Sequence, residues 1–336
     1  MAANATTLGF EMEWFDPMSS MMNTIYMKYY MDNNTIELLH SKMKTPFLAR
    51  IHYPEVELAD LFVGNSVTIF NRLLVIKGYA NTATKAFMAA REVHFLAYME
   101  GSAKQQIGAL MQIGTKHELI SSRARTTGSS IMEGAVQVHA GDSVVEFVST
   151  SGASPEAFLK EAKALNAGVS VMVADVDLIN TVFDACTAYF PKREFCTLCL
   201  IKPHVLKDKK FTGPILQQIG DSGFSVDSIV TLHLDHKMGD YLMDVYRGIY
   251  PEYTAMVEQL LSGPMLAVMV SGGPNVVAEF RDLCGPLEPE LGKKLRPKSL
   301  RAQYGTNLAC NGVHCTDLEE DGATECTYIF DTIANI

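Results

Sequence analysis

Tryptophan occurs once in the 336-residue chain, as Trp14. No apolar run comes near the length of about 18 residues that a bilayer crossing demands. Positive charge is short as well: 28 Lys and Arg stand against 38 Asp and Glu, a formal net charge of −10. A general nucleic-acid binder needs a basic face, so that class is excluded, and no global field draws the chain to an acidic polymer. The first residues, Met1-Ala-Ala-Asn-Ala-Thr-Thr7, lack the basic region followed by an apolar one that marks a signal peptide. The expected location is therefore the cytoplasm or a cytosolic structure, with no membrane contact. The seven cysteines are an odd number in a long chain, which speaks against a disulfide framework. Cys196 and Cys199 have the spacing of a redox or zinc pair. They fall in the apolar run Phe195–Ile201, where strand geometry points residues three apart to opposite faces. They read as buried thiols.

What remains is globular material, 48% hydrophobic and 20% charged, enough for two or three domains with their own cores. Residues 1–91 read as a compact all-β module. Phe10–Trp14 alternates, Ile25–Tyr30 is rich in β-branched and aromatic residues, and the turn cluster Asp32-Asn33-Asn34 precedes a hairpin partner, Thr35–Leu39. Phe47–Ile51, Ser66–Phe70 and Leu73–Tyr79 complete the sheet, and Trp14 is expected to anchor its core. The pattern over 84–91 suits a helix. Residues 92–190 form a less regular block. Its strands are expected at His94–Met99 and Ser143–Ser149 and its helices at Gln105–Gly114, from Ser154-Pro155 through Leu165, and over Asp177–Phe190, while Val169–Val173 is an apolar run.

Residues 191–336 are the best ordered by pattern. Strands over Phe195–Ile201, Phe224–Leu234 and Met265–Val270 alternate with helices over Thr212–Asp221, Lys237–Tyr246, Glu252–Leu261 and Val276–Leu283. A long polar loop follows, then Asn311–Asp317, then a last helix or loop and a strand, Glu325–Phe330. This order predicts an α+β fold with a ferredoxin-like βαββαβ sheet and helices packed on it.

Five motifs in this block occur in the order found in one family: Leu200-Ile-Lys202-Pro203, Leu261-Ser-Gly-Pro264, Asn275-Val-Val277, Arg296-Pro-Lys-Ser-Leu-Arg301 and Asn311-Gly-Val-His314-Cys-Thr-Asp317. The block resembles the nucleoside diphosphate kinases, whose signature is Asn-x-x-His-Gly/Ala-Ser-Asp. The resemblance implies ping-pong phosphoryl transfer with His314 as nucleophile and Glu325 as the carboxylate that orients it. Lys202, Arg281 and Arg301 would neutralise phosphate charge, Asn311 would bind the ribose 3′-hydroxyl, and Thr316 is the hydroxyl after the His. Mg²⁺ would arrive on the phosphates of the nucleoside triphosphate, with water filling most of its shell. Positioning and electrostatics carry most of such a reaction.

The N-terminal stretches Glu13-Trp14-Phe15-Asp16-Pro17, Phe47-Leu-Ala-Arg50 and Leu61-Phe-Val-Gly-Asn65 resemble the small DM-ten domain of ciliary proteins. A DM-ten-like module (1–91) followed by two ferredoxin-like, kinase-like domains (92–190 and 191–336) is the layout of axonemal members of the family. It implies a place in the cilium or flagellum, inside doublet microtubules, with α/β-tubulin, other inner proteins and γ-tubulin complexes as partners. The middle domain departs from the pattern. Ala97-Tyr98-Met99-Glu100 stands where the family has Ile-Lys-Pro-Asp, and Ala174 stands at the His position, so this domain is expected to be degenerate. The last domain departs too. Asp244 falls at the base-stacking aromatic, with Tyr241 or Tyr246 as substitutes. Ile249 or Tyr250 falls at a phosphate-binding Arg, Leu287 at a Thr, and His204-Val205 at the usual Asp-Gly. An architectural axonemal protein and a working kinase are both left open. The two fused domains are expected to pair with each other and so give a monomer.

Overall fold

The computed structural model describes residues 7–333 apart from 17–18, 20, 42–45, 102–105, 128–129, 134–135, 150–154 and 188–194. The described residues fall into two compact units, one up to Glu92 and one from Val93 onward. No helix among them is long and apolar enough to cross a membrane.

The first unit is an antiparallel sheet of β1 (Thr7–Asp16), β2 (Met21–Tyr30), β3 (Thr35–His40), β4 (Pro46–His52), β5 (Ser66–Ile69) and β6 (Arg72–Tyr79), in the order β4-β3-β2-β1-β6-β5. Its alternation buries Leu8, Phe10 and Met12 against Ile25, Met27 and Ile36. Asn34 takes a positive φ of 51° in the turn between β2 and β3, where Asn is tolerated better than most side chains. Helix α1 (Thr82–Ala89) begins at Asn81, whose side chain accepts from the Thr84 amide at 2.7 Å. Trp14 does not anchor the core. It shares the inward face of β1 but sits half-buried at the rim, with its ring 5.9 Å from Phe47 and under the Arg72 guanidinium.

The second unit begins with β7 (Val93–Met99), α2 (Ile107–Lys116), β8 (Ile120–Thr126), the hairpin β9 (Ile131–Glu133) and β10 (Val136–Val138), β11 (Ser143–Ser149), α3 (Pro155–Leu165), β12 (Val169–Val173) and α4 (Val176–Thr187). The expected capping residue Ser154 and the end of the expected run, Phe190, lie outside the described residues. It continues with β13 (Cys196–Ile201), α5 (Pro203–Leu206), α6 (Thr212–Asp221), β14 (Ser225–Leu232), α7 (His236–Met243), α8 (Tyr253–Leu260) and β15 (Met265–Ser271). Helices α9 (Val276–Cys284), α10 (Pro289–Leu295) and α11 (Leu300–Tyr304), strand β16 (Val313–Cys315) and helix α12 (Gly322–Thr327) end it.

All its long strands join one sheet, β12-β7-β11-β8-β14-β15-β13-β16. Read outward from the middle, each half has its second strand innermost, then the third, the first and the fourth. The join is the antiparallel pair β8 and β14, with Ala124 opposite Ile229. On one face a single core runs across it, taking Phe147 and Phe158 from the first half and Phe224 and Phe280 from the second. Helices α2 and α6 cross on that face with glycines at the contact. A Cβ on Gly108 would lie 2.4 Å from the backbone nitrogen of Gln217. Cys196 and Cys199 belong to the cores on opposite faces of β13, as strand geometry requires.

The register of the two halves locates counterparts that sequence spacing misplaces. The Lys202 amide donates to Gly312 O at 3.0 Å, and the Glu100 amide donates to Gly168 O at 2.9 Å. Leu200 lies opposite His314, and Tyr98 lies opposite Ser170. Ser170, not Ala174, therefore holds the topological position of His314, and Glu100, not Tyr98, that of Lys202. The first half also passes from α3 to β12 through residues 166–168, whereas the second uses residues 285–312 between α9 and β16. Two more expectations fail in the second half. The polar loop contains α10 and α11, and Glu325–Phe330 is helical rather than a strand. Its β-branched and aromatic residues suggested a strand, but Cys326, Ile329, Phe330 and Ile333 are buried at helical spacing.

The helix crossing yields a test. Gly108→Val drives a branched side chain into the backbone of α6, so a loss of about 1–3 kcal/mol is expected. Thermal unfolding of the variant should show a midpoint lower by several degrees; an unchanged midpoint would mean that the helices separate without cost.

Candidate active site

His314 occupies the centre of β16, the edge strand beside β13, and is 2% exposed. Its Nε2 faces Glu325 of α12, with Oε2 at 3.7 Å, and makes no hydrogen bond among the described residues. Glu325 is held instead by Thr316, whose hydroxyl donates to Oε2 at 2.8 Å and accepts from the Leu198 amide at 3.0 Å. Thr316 thus ties the carboxylate to the backbone of β13. Because Nε2 faces the carboxylate, Nδ1 is the ring nitrogen left to act as a nucleophile.

Three cations gather at this strand end. Lys202 follows β13 directly and is 1% exposed, with Nζ donating to Ala309 O at 2.9 Å. Burial, and then the like charge of Arg301, push its ammonium down to about 7. Arg301 of α11 is 5% exposed and donates to Val313 O, Gly285 O and Cys315 Sγ. Arg281 of α9 lies further out, paired with Asp317 at 2.8 Å and hydrogen-bonded to the Asp317 carbonyl. Asn311 is buried, with its amide nitrogen on Leu287 O at 3.2 Å and its Oδ1 without a partner among the described residues.

Further residues complete the cluster. Tyr246, buried between α7 and α8, donates its hydroxyl to the second oxygen of Asp317. Burial and then Asp317 raise its phenol well above the usual range. Of the two candidate aromatics, Tyr246 therefore faces the site, while Tyr241 is exposed and stacks on Tyr328 at 4.5 Å. Asp244 pairs with Arg247 at 2.8 Å and takes no part. His204 meets Gln259 at 2.9 Å. Burial and then Lys202 lower it to about 4, so it is neutral at physiological pH and does not replace the charge of an aspartate. Asp317 was visible within its motif, and only the tertiary contact with Tyr246 and Arg281 gives it a role.

The nucleoside diphosphate kinase family model matches residues 196–334. The nucleoside diphosphate kinase of Helicobacter pylori (strain P12) is 34% identical over 136 residues, covering 40% of this chain and 95% of that protein. The nucleoside diphosphate kinase homolog 7 of Rattus norvegicus is 29% identical over 367 aligned residues, covering 96% of this chain and 92% of that protein. Through the half that gathers His314, Glu325, Lys202, Arg301 and Asn311, the chain belongs to the nucleoside diphosphate kinase family.

Proposed function

We propose that the second half of the large unit is a nucleoside diphosphate kinase. The γ-phosphoryl group of a nucleoside triphosphate passes to Nδ1 of His314, the diphosphate leaves, and a second diphosphate takes the phosphoryl group from the His. The observation that supports this reading best is the convergence of His314, its facing carboxylate and three cations on one strand end. Glu325, held by Thr316, keeps the ring in one orientation. Lys202 spends one of its three donors on Ala309 O and can offer the others to phosphate. Arg281 must exchange Asp317 for phosphate, at least in part. His314 is 2% exposed, so the site has to open for nucleotide to reach it.

Among the described residues, no group of three or more His, Cys, Asp or Glu is placed to hold a metal ion. A resident Mg²⁺ does not fit this donor set, and the ion would enter as the companion of the nucleotide phosphates.

A second reading draws on the first half. Ser170 and Glu100 stand where a nucleophile and a phosphate-binding lysine would, and nothing corresponds to residues 285–312. We read residues 92–190 as a degenerate kinase-like domain, residues 191–336 as the kinase-like domain and residues 1–91 as a DM-ten-like module. Such a layout suits an architectural protein of ciliary or flagellar doublet microtubules, set against α/β-tubulin and other inner proteins, with a γ-tubulin complex as a further partner. What supports it is the DM-ten-like motif residues Trp14 and Phe47-Leu-Ala-Arg50, together with the likeness to homolog 7 along nearly the whole chain. The two roles are compatible.

Incubation of the full chain with γ-labelled ATP and Mg²⁺ tests the kinase. Wild type is expected to gain an acid-labile label that ADP removes, and His314→Ala to gain none. Folded wild type that stays unlabelled would leave only the architectural role. The pH dependence is a separate expectation. The Lys202 ammonium loses its proton as pH rises through about 7, so labelling at limiting ATP should fall on the alkaline side. The fall approaches roughly tenfold per pH unit once the charged form is the minor one. Lys202→Arg, charged throughout, should flatten the profile. A wild-type profile that is already flat would show that Lys202 binds phosphate without titrating.

A further inference from the structure

Arg301 is buried, yet none of its hydrogen bonds goes to a carboxylate. Nε donates to Val313 O at 3.1 Å, Nη1 to Gly285 O at 2.8 Å and Nη2 to Cys315 Sγ at 3.4 Å. A buried guanidinium without an anion is costly, and such groups are normally paired. Asp317 also acts on Arg301, but Arg281 engages one of its oxygens and Tyr246 the other. Sulfur is what remains. Cys315 is 1% exposed and lies in the core on the face of β16 away from His314, directly across from Cys199 of β13 and beside Cys284 of α9. The general family signature has glycine or alanine at this position.

We propose that Cys315 is a thiolate in the folded protein and is the buried counter-ion of Arg301. The Cys284 thiol is its second donor and keeps its own proton. The direction of the titration agrees with the geometry. The hydrogen bond from Cys284 and then the Arg301 guanidinium draw the Cys315 thiol below its ordinary range against the effect of burial, while burial pushes Cys284 up. The titratable groups around it are Cys284 of α9, Arg301 of α11, Cys199 of β13, Lys202 directly after β13, Tyr246 and, on its own segment, His314 and Asp317. A consequence rests on the kinase reading: Arg301 reaches the phosphate site with its charge already met, so phosphate gains less from it than from an unpaired guanidinium.

The test follows the ultraviolet absorbance of the thiolate in the full chain from about pH 5 to about pH 7.5, where a thiol of ordinary pKa stays largely protonated. Wild type, Cys315→Ala and Cys284→Ala are compared, each checked for folding by circular dichroism. Wild type is expected to hold one thiolate at neutral pH that Cys315→Ala lacks, and Cys284→Ala to keep it with a midpoint moved up. Identical titrations of wild type and Cys315→Ala overturn the proposal, and so does an unmoved midpoint in Cys284→Ala. The shift in Cys284→Ala decides alone if Cys315→Ala does not fold. Calorimetry with Mg²⁺ and ADP reads the consequence. Cys315→Ala should bind tighter, on the order of tenfold, because the charge of Arg301 is then no longer met by the thiolate. Equal affinities overturn the consequence, whereas binding by neither protein sinks the kinase reading and leaves the thiolate result standing.

Discussion

The pairing of β8 with β14 is the contact on which the second unit depends. It converts two four-stranded sheets, each with an open inner edge, into one sheet whose N–H and C=O groups are matched across the join. One apolar core lies under the join, so neither half closes its own side of the sheet by itself. The glycine contact between α2 and α6 brings those helices close enough to seal it. The first half, which has no counterpart of residues 285–312, is thereby kept as part of the fold. Strands β13 and β16, and with them His314, are fixed in a frame that extends across both halves.

Within that frame the candidate site is electrostatically closed on itself. Lys202 rests on the Ala309 carbonyl, Arg301 on two carbonyls and a sulfur, and Arg281 on Asp317, which Tyr246 also holds. Each such bond to a charged group is worth about 1.5–3 kcal/mol. A nucleotide that enters has to replace some of these contacts with better ones. The same contacts place the donors before a ligand arrives, and preorganised donors are the main resource of phosphoryl transfer. Whether the arrangement is productive turns on the exchange of Asp317 for phosphate at Arg281, since that residue is the most exposed of the three.

Much of this could be read in the residues. Apolar runs such as Cys196–Ile201 and Met265–Ser271 are buried on both faces, so they gave strands whatever their surroundings. Pro155 marked the start of α3 because its fixed φ suits a first helical turn. Elsewhere two periods competed. The segment after Asp317 is rich in β-branched and aromatic residues, and only its seat against β13 selects the helical spacing of Cys326, Ile329, Phe330 and Ile333.

The sequence by itself named the candidate residues of the site. Lys202, Arg281, Arg301, Asn311 and His314 stood out because their motifs resemble those of the nucleoside diphosphate kinases. Only the tertiary structure decided what each of them faces. Ser170 replaced Ala174 as the counterpart of His314 because strand pairing, not linear spacing, sets which residues are equivalent. Tyr246 and Asp317 met because α7 and α8 fold back toward the end of β16. Cys315 became the partner of Arg301 because a buried charge takes the nearest group able to answer it, and nearness across the chain is a property of the fold.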